Sequence, residues 1–124
     1  MSERVFVYGT LRRGMFYNPE YMSNAEFVAG SKIEGFVMFK NPEDHYPYII
    51  RGQGEIDGEV YKVSQEELDK LDILEEIPEV YTREKVSVLG EETWIYVFNS
   101  PSRPDSIRIE SGDWVEYYKT SMNT

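Results

Sequence analysis

The sequence predicts an α+β fold: a small mixed sheet of about six strands, curved or barrel-like, flanked by two or three short helical segments. Three observations carry this expectation. Short segments rich in β-branched and aromatic residues recur along the chain, mostly separated by Gly, Pro, Asn or Asp. Between two of them Ser64 and Glu67 form an S-x-x-E capping box that opens a helix. The 124 residues show no shift in composition, no internal repeat and no linker, so one domain over residues 1–124 is expected, long enough to bury a core.

The elements follow in order. Arg4, Val5, Phe6, Val7 and Tyr8 read as a buried strand that Gly9 breaks abruptly, leaving Gly9 to Leu11 as a loop at the strand end. Asn18, before Pro19 and Glu20, reads as an N-cap with proline at the first helical position, and the short helix runs to about Ala25. Strands are expected over 32–39, 46–50, 55–63, 81–89 and 93–98. The helix opened by the capping box spans 65 to about 75 and ends before Pro78.

Composition removes several function classes. Thirteen lysines and arginines stand against 23 acids, and Arg12-Arg13 is the only basic pair that stands out, so a phosphate backbone would be repelled and nucleic acid is not an expected partner. With no cysteine, disulfides, thiolate metal sites and a catalytic thiol are all excluded. The single histidine, His45, lies among turn formers and reads as part of a solvated turn; no metal site is expected. No apolar run approaches the ~18 residues of a membrane span, and no basic and apolar leader precedes the first strand, so no membrane partner and a cytoplasmic location are expected.

Two places carry candidate chemistry. On a helical wheel of about 100° per residue, Leu68, Leu71 and Leu74 share one sector of about 120°, the face that must pack on the sheet. Glu75 falls about 40° from its centre, whereas Asp72 and Glu76 fall about 100° and 140° away, sideways and outward. Desolvation and the negative end of the helix dipole should both raise the Glu75 pKa, which suits a general base working near neutrality. The plainer alternative is that Glu75 only borders the core, paired with an arginine such as Arg83 or left wet. The second place is Tyr8-Gly9-Thr10-Leu11, where a glycine with conformational freedom would let successive backbone amides point into one concavity that binds a carboxylate or oxyanion. Thr10 and Tyr8 would add hydroxyl donors, and the alternative there is an ordinary turn beside a buried tyrosine.

Taken together these residues resemble the gamma-glutamyl cyclotransferase-like superfamily, most closely its gamma-glutamylamine cyclotransferase branch. Val5-Phe6-Val7-Tyr8-Gly9-Thr10-Leu11-Arg12-Arg13-Gly14 is similar to the family's opening strand and substrate loop. Gly58-Glu59-Val60-Tyr61 resembles its G-E-[LV]-Y strand, and Leu71-Asp72-Ile73-Leu74-Glu75 with Pro78, Tyr81 and Arg83 resembles its L-D-x-x-E-G-x-P block and the Y-x-R that follows. Trp94 and Tyr96, then Ile109 with Gly112-Asp113-Trp114, extend the likeness to the carboxyl end.

The resemblance implies a small mixed barrel, Glu75 as the catalytic base, and a substrate site formed by Tyr8, Gly9, Thr10, Leu11 and Tyr81. It implies a small-molecule gamma-glutamyl substrate whose own α-amino group attacks its γ-carbonyl, closing 5-oxoproline and releasing an amine, with no cofactor. One departure stands out: the family pattern has glycine where this chain has Glu76, so the helix must end with a strained residue or in another way. The rival reading is a non-catalytic binding or interaction domain on the same fold. The position of Glu75 discriminates: aimed at solvent away from the Gly9-Thr10 loop, it would defeat the enzyme reading.

Overall fold

The computed structural model describes residues 2–121. Along the chain come β1 (Ser2–Val7), α1 (Asn18–Met22), β2 (Glu26–Lys40), β3 (Pro47–Ser64), α2 (Gln65–Leu74), β4 (Tyr81–Val88), β5 (Glu91–Phe98), β6 (Ile107–Arg108) and α3 (Trp114–Ser121). The six strands form one mixed sheet in the order β4-β5-β1-β3-β2-β6. Only the β1–β5 pair is parallel.

The sheet curls into a half-barrel. Bulges interrupt the β2–β3 ladder between Phe27 and Ala29 and again between Glu34 and Phe36, and such insertions bend and twist a strand. Arg51 on β3 reaches Glu84 on β4 as an ion pair, joining strands that are three places apart in the sheet order. The two faces are filled by different clusters. Phe6, Phe36, Met38, Ile49, Ile56, Val60, Ile95 and Trp114 fill the inside of the curl. Val5, Val7, Tyr61, Val63, Tyr81 and Tyr96 meet Leu68 and Leu71 of α2 on the outside. Because β1 is covered on both faces, it reads as a continuous apolar run and not as an alternating one. Gly58 lies under it, where a Cβ would sit 2.4 Å from the Val7 carbonyl oxygen and 2.5 Å from the Phe6 ring, so β3 can cross there only with glycine.

The capping box forms as expected: Ser64 Oγ accepts from the Glu67 amide at 3.1 Å and Glu67 Oε1 accepts from the Ser64 amide at 2.7 Å. Leu68 and Leu71 are fully buried, each contributing about 1.5–3 kcal/mol. At the other end Glu76 takes the left-handed conformation, φ +51°. Its amide donates to Ile73 O at 3.1 Å and that of Ile77 to Asp72 O at 3.2 Å, the reciprocal pair of a Schellman cap. Glu76 therefore does what the family's glycine would do, at the steric cost of a Cβ.

Several expectations need correction. Residues 46–50 and 55–63 are not two strands but one, because β3 pairs with β2 on both sides of the bulge at residues 52–54, and β2 itself begins at Glu26 and not at 32. The strand count still reaches six because Ile107 and Arg108 add a short edge strand. Helix α1 stops at Met22, and Tyr17, not Asn18, is its N-cap; the Asn18 side chain is drawn instead to partners outside the helix. Helix α3, which the sequence reading did not locate, is signalled by Asp113-x-x-Glu116: Asp113 Oδ1 accepts from the Glu116 amide at 3.1 Å.

Candidate active site

The carboxyl end of β1, the end of α2, the start of β4 and the middle of β5 converge on a cavity of about 190 Å³. Its lining includes Tyr8, Gly9, Thr10, Leu11, Glu75 and Tyr81, so all six residues singled out from the sequence meet at one place. The cavity is smaller than the ~300 Å³ lower bound of drug-sized sites, which favours a ligand of amino-acid dimensions.

Glu75 enters from the C-cap of α2, held by its amide's 2.9 Å bond to Leu71 O. With φ −83° and ψ 0° it continues the helical course far enough for the wheel to hold. Tyr8, Tyr17, Tyr46, Tyr81 and Tyr96 share the cavity with it, yet the three buried phenols spend their protons elsewhere. Tyr8 OH donates to Tyr96 O at 2.8 Å, Tyr81 OH to Pro47 O at 3.3 Å, and Tyr96 OH to Asp72 Oδ1 at 2.6 Å. Arg83, the cation within reach of this helix, is engaged by Asp72 at 2.9 and 3.1 Å. Among the described residues, no side chain donates to the Glu75 carboxylate and no cation pairs with it. Burial without a donor pushes its pKa up to about 7. Tyr8, Tyr81 and Tyr96 are also shifted upward, chiefly by burial, so they remain protonated phenols.

Asp72 thus lies sideways on α2 but not outward. It is the half-buried acceptor that fastens α2 to β4 and β5, and it removes the partner that the plainer reading of Glu75 required. Glu76, the second acid at the helix end, is exposed, and burial alone accounts for the Glu75 shift.

The loop opposite is oriented from behind. Gly9 O accepts from the Arg12 amide at 3.0 Å, Thr10 O from the Tyr17 amide at 3.0 Å, and Leu11 O from Asn18 Nδ2 at 2.8 Å. A trans peptide points its C=O and the following N–H in opposite directions, so the bonds at Gly9 O and Thr10 O turn the Thr10 and Leu11 amides the other way. Neither amide has an acceptor within the chain among the described residues. The expected role of Gly9 needs revision: its φ is not positive, and what demands glycine is Pro47, whose Cδ and Cγ would lie 2.8 and 2.9 Å from a Cβ. The Tyr8 hydroxyl is likewise committed to Tyr96 O, which leaves Tyr8 as a wall with no free donor.

Sequence reasoning missed Tyr17, Tyr46 and Pro47 as cavity walls, and Asn18 as a loop tether. Tyr46 and Pro47 open the strand expected over 46–50, at the end of a stretch of turn formers. Their approach to Gly9 spans nearly forty positions, and no local pattern encodes it. The cavity lining contains no lysine, arginine or histidine, so one pole is carboxylate and the other is backbone amide.

Residues 5–116 match the family model described as gamma-glutamyl cyclotransferase, AIG2-like. The protein MJ1514 of Methanocaldococcus jannaschii is 36% identical over 125 residues, covering 93% of this chain and 98% of its own length. The gamma-glutamylcyclotransferase family protein YtfP of Escherichia coli K12 is 33% identical over 114 residues, covering 91% and 96%. The crystal structure of PH0828 from Pyrococcus horikoshii superposes with a TM-score of 0.83 at 30% identity, over 98% of each chain. The chain belongs to the gamma-glutamyl cyclotransferase, AIG2-like family.

Proposed function

We propose that the protein is a cyclotransferase that converts a gamma-glutamyl amine, or a related gamma-glutamyl compound, into 5-oxoproline and a free amine. The observation that carries the reading is the pairing, across one small cavity, of a donor-free carboxylate at Glu75 with the unpaired Thr10 and Leu11 amides. A gamma-glutamyl group is zwitterionic at its α-carbon and neutral at its γ-carbonyl. Its ammonium suits the Glu75 pole, and its carboxylate, or the oxyanion that develops at the γ-carbon, suits the amide pole.

In this mechanism Glu75 takes a proton from the substrate's α-ammonium, and the neutral nitrogen attacks the γ-carbon to give a tetrahedral oxyanion. The attacking nitrogen passes a second proton to the departing nitrogen as the bond from the γ-carbon to that nitrogen breaks, and the proton held by Glu75 follows to the free amine, which leaves as an ammonium. One C–N bond forms and one breaks; no water is consumed and no electrons leave the system. The nucleophile comes with the substrate, so the chain needs neither a serine nor a cysteine attacker. A pKa near 7 lets the same carboxyl act as base and then as acid near neutral pH. Phenolic walls and the narrow cavity favour a curled chain, which adds proximity to the reacting atoms.

The test is a panel of gamma-glutamyl amines and gamma-glutamyl amino acids incubated with the protein and with Glu75→Gln, 5-oxoproline being followed by mass spectrometry. The expected outcome is product from the wild type, a loss of about 10²- to 10⁴-fold in the variant, and a wild-type kcat/KM that falls as pH drops below about 7. Silence from the folded wild-type protein across the panel would refute the reading in favour of a binding role.

A further inference from the structure

The loop that carries the amide pole is anchored by an acid outside the cavity. Glu59 lies on β3 directly opposite Val7, the last residue of β1 before the loop, and is almost fully buried. Its Oε1 accepts from the Arg13 amide at 2.9 Å and from the Tyr61 hydroxyl at 3.3 Å, and its Oε2 accepts from Arg12 Nε at 3.0 Å. Arg12 Nη1 continues to Asp113 Oδ1 at 2.9 Å, the same oxygen that caps the first turn of α3. On the other side Tyr61 OH accepts from Asn18 Nδ2 at 3.3 Å, and that nitrogen also holds Leu11 O.

A buried carboxylate in such a place would be costly unless its lone pairs were used, and here two of its three bonds go to Arg12 and Arg13, the stretch of chain that follows the cradle, and the third to Tyr61. The peptide between Arg12 and Arg13 is fixed by Glu59 Oε1, the peptide between Leu11 and Arg12 by Asn18, and the peptide that carries the Leu11 amide by the Tyr17 amide on Thr10 O, so three successive peptides of the loop are held.

We infer that Glu59 is a positioning residue: through Arg12, the Arg13 amide and the Tyr61–Asn18 relay it sets the direction of the Thr10 and Leu11 amides, and through Asp113 it ties that direction to α3. Glu59 touches no reacting atom, since it does not line the cavity. Its functional half rests on the cyclotransferase reading; its structural half does not.

Glu59→Gln keeps the shape and the acceptor for the Arg13 amide but can set an NH₂ against the Arg12 guanidinium. Two measurements on the full chain separate the possibilities. Hydrogen exchange of the Arg12, Arg13 and Tyr17 amides reads the loop without any substrate, and the expected result is exchange at least tenfold faster there, with β1 and β3 amides unchanged. Steady-state kinetics per folded molecule should show KM raised about ten- to hundredfold, the size of one lost charge-assisted hydrogen bond, with the acidic limb of the pH profile unmoved because Glu75 is untouched.

Unchanged exchange overturns the inference, and so does faster exchange with an unchanged KM, because Glu59 would then serve the fold alone. If Glu59→Gln does not fold, Asn18→Ala, which removes the Leu11 tether from a half-buried site, must show the same pair of effects, and their absence overturns the inference equally. A wild-type protein that turns over no gamma-glutamyl compound refutes the reading of the cavity; the exchange data then decide whether Glu59 orders the loop.

Discussion

Replacing Glu75 by glutamine should make the protein more stable at alkaline pH, independently of any substrate. Folding moves this carboxyl from an ordinary 4.5 to about 7 because it is desolvated in a half-buried position without a donor. A group whose folded pKa lies above its unfolded value adds no penalty below about pH 4.5. It progressively weakens the fold as pH rises to about 7, and its full penalty applies above that. A shift of about 2.5 units at 1.36 kcal/mol each sets an upper figure of about 3 kcal/mol. The cavity opens to water, which relaxes part of that, so a gain of about 1–3 kcal/mol is expected for Glu75→Gln at pH 8.5.

For a chain of this length such a gain raises Tm by about 4 °C or more. Thermal and urea unfolding of both proteins, followed by circular dichroism from pH 4 to pH 9, measures it. The difference should vanish near pH 4 and grow through neutrality. A variant that is equally stable or less stable at pH 8.5, or a difference independent of pH, would show that Glu75 has a donor or a cation after all, and the account of its basicity would fail. Stability gained at the expense of catalysis at the same position is the expected signature of a strained functional group.

Two further outcomes follow from the backbone around the site. Glu76→Gly should stabilise the chain by about 0.5–1 kcal/mol, since φ +51° carries a steric cost that glycine lacks, partly offset by the greater freedom of the unfolded chain; the urea midpoint at constant m-value reads it, and destabilisation would show that the Glu76 side chain has a favourable role. Gly9→Ala should cost about 1–3 kcal/mol by driving a methyl into Pro47 and, under the proposed function, should lower the rate of 5-oxoproline formation by displacing the loop. Adding Pro47→Ala should recover most of that stability in a double-mutant cycle, and no recovery would mean that glycine is needed for another reason.

The local elements were legible because their causes are local. The Ser64–Glu67 box and the leucine stripe place α2 and its end without reference to anything else, and the helical period aims Glu75 at the sheet. The uninterrupted apolar run of β1 declares a strand covered on both faces. The motif order along the chain was enough to point to the family, which the matched residues 5–116 bear out. What failed at this level were junctions whose outcome depends on a distant partner. The polar stretch after Arg51 looks like a break until β2 pairs with the chain on both sides of it, and Asn18 looks like a cap until Leu11 and Tyr61 claim its amide.

Tertiary structure decided the chemistry of the site. Sequence could nominate Glu75 but not show that Asp72 holds Arg83 away from it, nor that three tyrosines beside it direct their protons to Tyr96 O, Pro47 O and Asp72. It could suggest a cradle at Gly9 to Leu11 but not that Arg12, Tyr17 and Asn18 turn the carbonyls outward, nor that Pro47 is what forbids a side chain at Gly9. The physical reason is common to all of these. Periodicity and capping follow from the geometry of a few consecutive residues, whereas a carboxylate's basicity and an amide's direction depend on which groups from other strands have already taken the available hydrogen bonds.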